Sequence, residues 1–412
     1  MAADYVTWQG LTDRKYYGRH LPANREYNAD LSKSTDLDAV KELFRSTEDA
    51  RSPKSTLMLP IFAQWFTDSI LRTKFKVDGP QDYKENESNH EIDLCQIYGT
   101  GEEQTRMLRA LESGLLKSQT IDKEEFPVYL FEEVTFEEEI PILLFEEVAC
   151  MNGIEISMTS QQVRMKPEFD GLYTDANLKR VFATASKEHK LNCFACGLEH
   201  GNSTMGNTLM NIIWFREHNR IARKIGKAHP SWDDERVFQT ARNVNIVLLL
   251  KVVIEDYIVH ISGFQFRADT RIAEKESWYR NNWMAGEFSL LYRWHDLIPD
   301  SVKFGGRKKH SSALRRNNRW LLETGIGRTL LDASRQASGK IMLGNTPEFL
   351  LEVRKMSLTR KWMSPYLPFA ELMRISPFLN HRWKSFRFGA LQRVPRTVRF
   401  EKEEEFYGSY WK

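Results

Sequence analysis

Apolar residues recur at helical spacing along most of this chain. Over residues 57–74 they fall at Leu57, Leu59, Ile61, Phe62, Trp65, Phe66, Ile70 and Leu71, which predicts an amphipathic helix. Gln64 and Asp68 lie inside that run, four apart and so on one face. A carboxylate on such a helix either meets solvent or lines a polar cavity, because burying it unpartnered is costly. Helical patterns also run over 36–44, 104–116, 208–225, 233–262 and 319–342, and PSWDD at 230–234 offers capping residues for the longest of them. The apolar run EFSLLYRWHDLIPD at 287–300 is stopped by Pro299. On a helix, Tyr292 and His295 share a face and Trp294 points elsewhere. A histidine one turn from a tyrosine in an apolar segment suits a buried imidazole that holds a metal or haem, although a lone histidine on an apolar helix is more often a hydrogen-bonded core residue.

Strand signals are sparse, so the fold class is mainly α. The segments between helices read as follows. Residues 1–35 form an irregular arm. Residues 120–165 are dense in glutamate and repeat LFEEV at 130–134 and 144–148, which marks an insertion with its own hairpin or helix and an acidic, solvated surface. GLEHGNSTMG at 197–206 lacks the spacing of a nucleotide loop and reads as a close-packed turn leading into a helix. Residues 302–318 form a basic loop, and 347–412 are basic and aromatic with scattered prolines.

With 412 residues and 41% hydrophobic content, the chain is long enough for one large domain with a sizeable core. A net charge of +3 gives no reason to expect nucleic acid as a partner. Four cysteines are too few to staple the chain, and no second CxxC accompanies Cys193 and Cys196, so these read as core thiols in a reducing compartment. The first residues lack the basic and apolar regions of a signal peptide. The most apolar window, 244–261, carries Lys251, Glu255, Asp256 and His260, and so reads as a buried helix, not a membrane span. The expected location is cytoplasmic or peripheral to a membrane.

Eight motifs in order carry a resemblance. They are DYVTW (4–8) with YYGRHLP (16–22), FAQWFTD (62–68), IDLCQIYG (92–99), REHNR (216–220), HPSWDDE (229–235), FQTAR (238–242), VIEDYIVHISG (253–263) and YRWH (292–295). Over residues 4 to about 355 the chain resembles the cyclooxygenase-like branch of the animal haem peroxidases, which includes prostaglandin H synthases and fatty-acid dioxygenases. The resemblance implies a helical haem peroxidase-like fold with haem held between helices. It implies one catalytic domain over 1–412, with the arm, the insertion at 120–165 and a divergent basic segment at 347–412.

Carried over residue by residue, His295 is expected to be the proximal ligand of the iron of haem b, with Trp294 beside the cofactor. Tyr292 is expected to become the radical that abstracts hydrogen, with Tyr257 hydrogen-bonded to it, and Gln64 to be the distal glutamine. Asp68 stands where the family has its distal histidine, the group that moves the peroxide proton. Phe264 stands where the family has a tyrosine that helps hold a substrate carboxylate, and the arginine of that clamp has no counterpart. The implied function is tyrosyl-radical oxygenation of an unsaturated fatty acid, or of another small apolar substrate, using dioxygen and peroxide. The alternatives are a haem peroxidase or oxygenase on a non-lipid substrate, or a haem-binding protein that has lost catalysis. Peripheral membrane contact and a homodimer both stay open.

Overall fold

Residues 16–18, 48–74, 85–88, 91–137, 159–265, 284–292, 294–341 and 346 are described by the computed structural model, and all belong to the first of two compact units, Met1–Ser364. The second unit, Pro365–Lys412, lies outside the described residues, as do the helix expected over 36–44 and the basic segment 347–412.

The strand β1, Arg51–Thr56, leads into helix α1, Met58–Asp68. Pro60 stands in the first turn of α1, where a missing N–H costs nothing. Two short helices follow, α2 (Cys95–Tyr98) and α3 (Glu102–Leu108). The helix expected over 104–116 thus ends early, because Leu111, Ser113 and Gly114 take positive φ in the turn beyond it. The hairpin β2 (Ser118–Ile121) and β3 (Glu124–Pro127) comes next, and β4 (Phe131–Glu137) pairs antiparallel with β5 (Thr159–Met165). The insertion expected at 120–165 therefore does carry hairpins, but it is not merely an acidic surface: Leu130 and Phe131 are buried in the main core. The second LFEEV copy lies outside the described residues.

Helices α4 (Asp175–Phe182) and α5 (Lys187–Leu191) precede the two longest helices, α6 (Met205–Ala228) and α7 (Asp234–Lys251). Thr204 caps α6 by accepting from the Asn207 amide, and Asp233 caps α7 by accepting from the Arg236 amide, as the PSWDD signal predicted. A π-helical stretch, Val252–Tyr257, continues α7 into α8 (Ile258–Ser262). Helix α9 (Gly286–Leu291) is followed by a 3-10 turn at His295–Leu297. The basic loop expected over 302–318 contains a hairpin, β6 (Ser301–Phe304) and β7 (Arg307–His310), closed by Gly305 and Gly306. In place of one helix over 319–342 there are two, α10 (Asn318–Thr324) and α11 (Ile326–Arg335), parted by Gly325, and then β8 (Ala337–Gly339), which pairs back with β1.

Helices make up 51% of the interpretable residues, so the fold is mainly α as expected, with strands confined to four two-stranded pairs. Among the described residues no helix is long and apolar enough to cross a membrane.

Helix α6 is the axis of the core. Its buried Trp214 stacks on Trp65 of α1 with ring centres 5.9 Å apart, and its Asn211 accepts from the Trp65 indole over 2.7 Å. The REHNR motif lies on the same helix and acts as a clamp. His218 bonds the Tyr98 hydroxyl and the Gly114 carbonyl, while Asn219 donates to Leu116 and Glu125 and accepts from the Leu116 amide. These contacts satisfy buried polar atoms that would otherwise oppose folding. The Gly-rich turn before α6 is close-packed as expected: a side chain at Gly197 would meet the Cys95 carbonyl at 2.0 Å.

Candidate active site

Two clusters of chemically capable side chains meet helix α1, one at Phe62 and Phe66 and one at Gln64 and Asp68. The first is aromatic. A π-helical turn carries one more residue than an α-turn and so re-aims the side chains that follow; here it ends at Tyr257. The Tyr257 ring packs against Phe62 and Phe66 of α1, with centres 5.2 and 6.0 Å away. Its hydroxyl contacts that of Tyr292, which lies just past the end of α9. Tyr292 also stacks on Phe288 at 4.8 Å and meets the Trp294 ring edge-on at 5.4 Å. Burial pushes both phenols above their ordinary pKa; at Tyr257 the neighbouring Tyr292 raises it further. Both hydroxyls therefore keep their protons at neutral pH.

The single helix expected through 287–300 does not form. Helix α9 stops at Leu291 and residues 295–297 settle in a tighter turn; Pro299, which lacks an N–H and would clash with the carbonyl of residue 295, bars a helix through that turn. With helical spacing gone, Trp294 is not directed away from Tyr292 as expected but touches it. The His295 backbone lies in that turn, and its side chain lies outside the described residues. The turn packs against α1 and β8; a side chain at Gly339 would meet the Asp296 carbonyl at 2.2 Å.

The second cluster is polar. Gln64 is exposed and donates to Asp68 Oδ1 over 3.1 Å, the i, i+4 pairing read from the sequence. Asp68 is half-buried and accepts from Asn207 Nδ2 on its other oxygen over 3.0 Å. Burial raises the Asp68 carboxyl pKa, and the charges of His200 and Arg72 and the Asn207 hydrogen bond only partly offset this. Arg72, just beyond α1, forms a buried ion pair with Glu199 and a second contact with Glu87 at 3.4 Å. His200 Nδ1 lies 2.8 Å from Glu199 Oε1.

So Gln64 and Asp68 come together, and so do Tyr257, Tyr292 and Trp294. Arg72, Glu199, His200 and Asn207 escaped the sequence reading. Arg72 comes from the chain just past α1, Glu199 and His200 from the Gly-rich turn and Asn207 from the first turn of α6, and only the packing of α6 on α1 brings them to Asp68. Phe264 is 68% exposed. Cys95, Cys193 and Cys196 are buried and free, and burial pushes each thiol pKa up (Cys196 to about 11), so they are inert core groups as expected. Among the described residues no three His, Cys, Asp or Glu side chains group as metal ligands.

The animal haem peroxidase family profile matches residues 157–352. The chain is 28% identical to prostaglandin G/H synthase 2 of Bos taurus over 396 residues, covering 93% of this chain and 57% of that protein. It thus spans little more than half the length of this relative. Among solved structures, peroxidase A of Dictyostelium discoideum superposes with a TM-score of 0.56 at 16% identity, over 90% of this chain and 78% of that one. The fatty acid alpha-dioxygenase of Oryza sativa superposes with a TM-score of 0.52 at 15% identity, over 82% of this chain and 57% of that one. At these identities the superpositions establish a shared fold.

Proposed function

We propose, from the premise that residues 157–352 are an animal haem peroxidase domain, that this chain is a haem-dependent oxidoreductase in which Tyr292 starts the oxygenation of an unsaturated fatty acid. Haem b fits the donor set. His295 would hold its iron, with Trp294 beside the group. Beside Asp68 the enclosed Asn207 Oδ1 has no hydrogen-bond partner among the described residues, and such an orphan suits a group with polar atoms of its own. When bound, the haem supplies oxidising power drawn from peroxide.

Tyr292 does the rest. Having lost an electron and its hydroxyl proton, it takes a hydrogen atom from the substrate: the C–H bond breaks, the phenol O–H re-forms, and dioxygen adds to the carbon radical. Tyr257 steadies the Tyr292 oxygen by hydrogen bonding. Gln64 and Asp68 serve the peroxide side. The observation that carries this reading is the hydroxyl contact of Tyr257 with Tyr292, two phenols 35 residues apart that both stay protonated. A second reading, a peroxidase or oxygenase acting on a non-lipid substrate, is favoured by Phe264, which is exposed and offers no hydrogen bond to a carboxylate.

The purified chain should show an intense haem absorbance band that disappears in His295→Ala. Oxygen uptake with linoleate and a trace of peroxide should stop in Tyr292→Phe while the band persists. A chain that takes up no haem overturns the whole reading. Unchanged uptake in Tyr292→Phe overturns the radical role and leaves the haem assignment standing.

A further inference from the structure

Asp68 ends α1 among groups brought to it from elsewhere in the chain. Asn207 donates to Asp68 Oδ2 over 3.0 Å and approaches the His200 carbonyl at 3.5 Å, so one amide ties the carboxylate to the turn that carries His200. Both Asp68 oxygens accept hydrogen bonds, one from Gln64 and one from Asn207. A carboxylate engaged on both oxygens is suited to anchoring a neighbour.

His200 is differently placed. Its side chain is 32% exposed, so a small molecule can reach it, whereas that of Glu199 is only 3% exposed. Glu199 is held as an anion by the buried Arg72 guanidinium, and the His200 Nδ1 atom lies 2.8 Å from its Oε1. The approach is off the hydrogen-bond axis, so Glu199 acts on the ring through its charge. A carboxylate beside one ring nitrogen favours the proton there, leaving Nε2 for proton exchange.

We propose that His200, paired with Glu199 and tied to Asp68 through Asn207, accepts the proton of a hydroperoxide bound on this side of the site, and that Asp68 is a positioning residue. The proposal rests on the peroxidase reading above. In the step, the peroxide O–H bond breaks, an N–H bond forms at His200 Nε2, and the products are a hydroperoxide anion and an imidazolium; the reverse step returns the proton. Asp68 from α1 and Glu199 from its own turn lie by His200, and Arg72, itself in contact with Glu87, pairs with Glu199.

The test uses the full chain loaded with haem and hydrogen cyanide as probe. Cyanide arrives as its acid and binds as its anion, so the binding rate reads proton acceptance without turnover. His200→Gln should slow binding by about 10²-fold or more and flatten its pH profile, with the haem band intact. Asp68→Asn should keep a pH-dependent profile with a shifted midpoint. A rate in His200→Gln within about twofold of the unchanged chain overturns the proposal, as does loss of the profile in Asp68→Asn alone, which would make Asp68 the acceptor.

A second readout needs no haem. In the chain carrying labelled histidine, the His200 resonance should titrate at lower pH in Asp68→Asn than in the unchanged chain, and equal midpoints overturn the pairing. A chain that binds no haem sinks the parent reading, while the titration still judges the His200–Asp68 pair.

Discussion

The Tyr257 hydroxyl meets the Tyr292 hydroxyl from across 35 residues of chain. One tyrosine ends a π-helical stretch and the other lies just past a helix that stops early, so neither is held by regular α-helical spacing. Both are held by ring contacts, Tyr257 by Phe62 and Phe66, Tyr292 by Phe288 and Trp294.

Tyr257→Phe leaves those ring contacts and removes one hydroxyl. Stability should fall by about 0.5–1.5 kcal/mol, the usual net worth of a hydrogen bond. Oxygen uptake should fall more steeply than that, with the haem band unchanged. Urea unfolding and uptake measured on one preparation separate the two effects; an uptake loss that merely tracks unfolding would reduce Tyr257 to a packing residue.

The Arg72–Glu199 pair is buried on both sides. Glu199→Gln should cost less than the roughly 3–5 kcal/mol of a buried pair broken outright, because Glu87 still faces the Arg72 guanidinium. Replacing both partners by Met and Leu should recover most of the loss. The denaturation midpoints of the single and double variants check this, and equal midpoints would mean that the pair contributes through its shape alone.

Asp68 has a raised carboxyl pKa in the folded chain. The folded state therefore binds its proton more tightly than the unfolded chain does. The stabilisation is full below the unfolded pKa of about 3.9 and is lost as pH rises through the folded value. Asp68→Asn removes this dependence, so the melting temperature of the variant should gain on that of the unchanged chain as pH rises from 4 toward neutrality. A constant difference across that range would contradict the shift.

His218 behaves oppositely. Burial, with the charges of Arg109 and Arg242, pushes its pKa down to about 4. Its neutral form contributes stability that is present above the unfolded pKa of about 6.5 and lost as pH falls toward 4. The loss should reach about 3 kcal/mol at the acid end. In His218→Gln that slope between pH 6.5 and 4 should be largely absent from denaturation midpoints.

The long helices were legible because their apolar spacing repeats over many turns, and the caps at Asp233 and Thr204 match local residue chemistry. The strands were not legible. β1 and β8 are short and lie at opposite ends of the described chain, so neither has a pattern without the other. The hairpin β6–β7 is so rich in Lys and Arg that it reads as a loop.

The sequence by itself determined the helical framework, the shared face of Gln64 and Asp68, and the motif order that points to Tyr257, Tyr292 and His295. Those features are set by residue type and spacing within a few turns. Only the tertiary structure decided that Tyr292 and Trp294 touch and that Leu130 and Phe131 join the core. It also decided that Asp68 sits in a network with Asn207, His200, Glu199 and Arg72. The physical reason is distance along the chain. Asn207 lies 139 residues from Asp68, and Glu199 lies 127 from Arg72. Such contacts are set by how α6 packs on α1, and no local pattern encodes that.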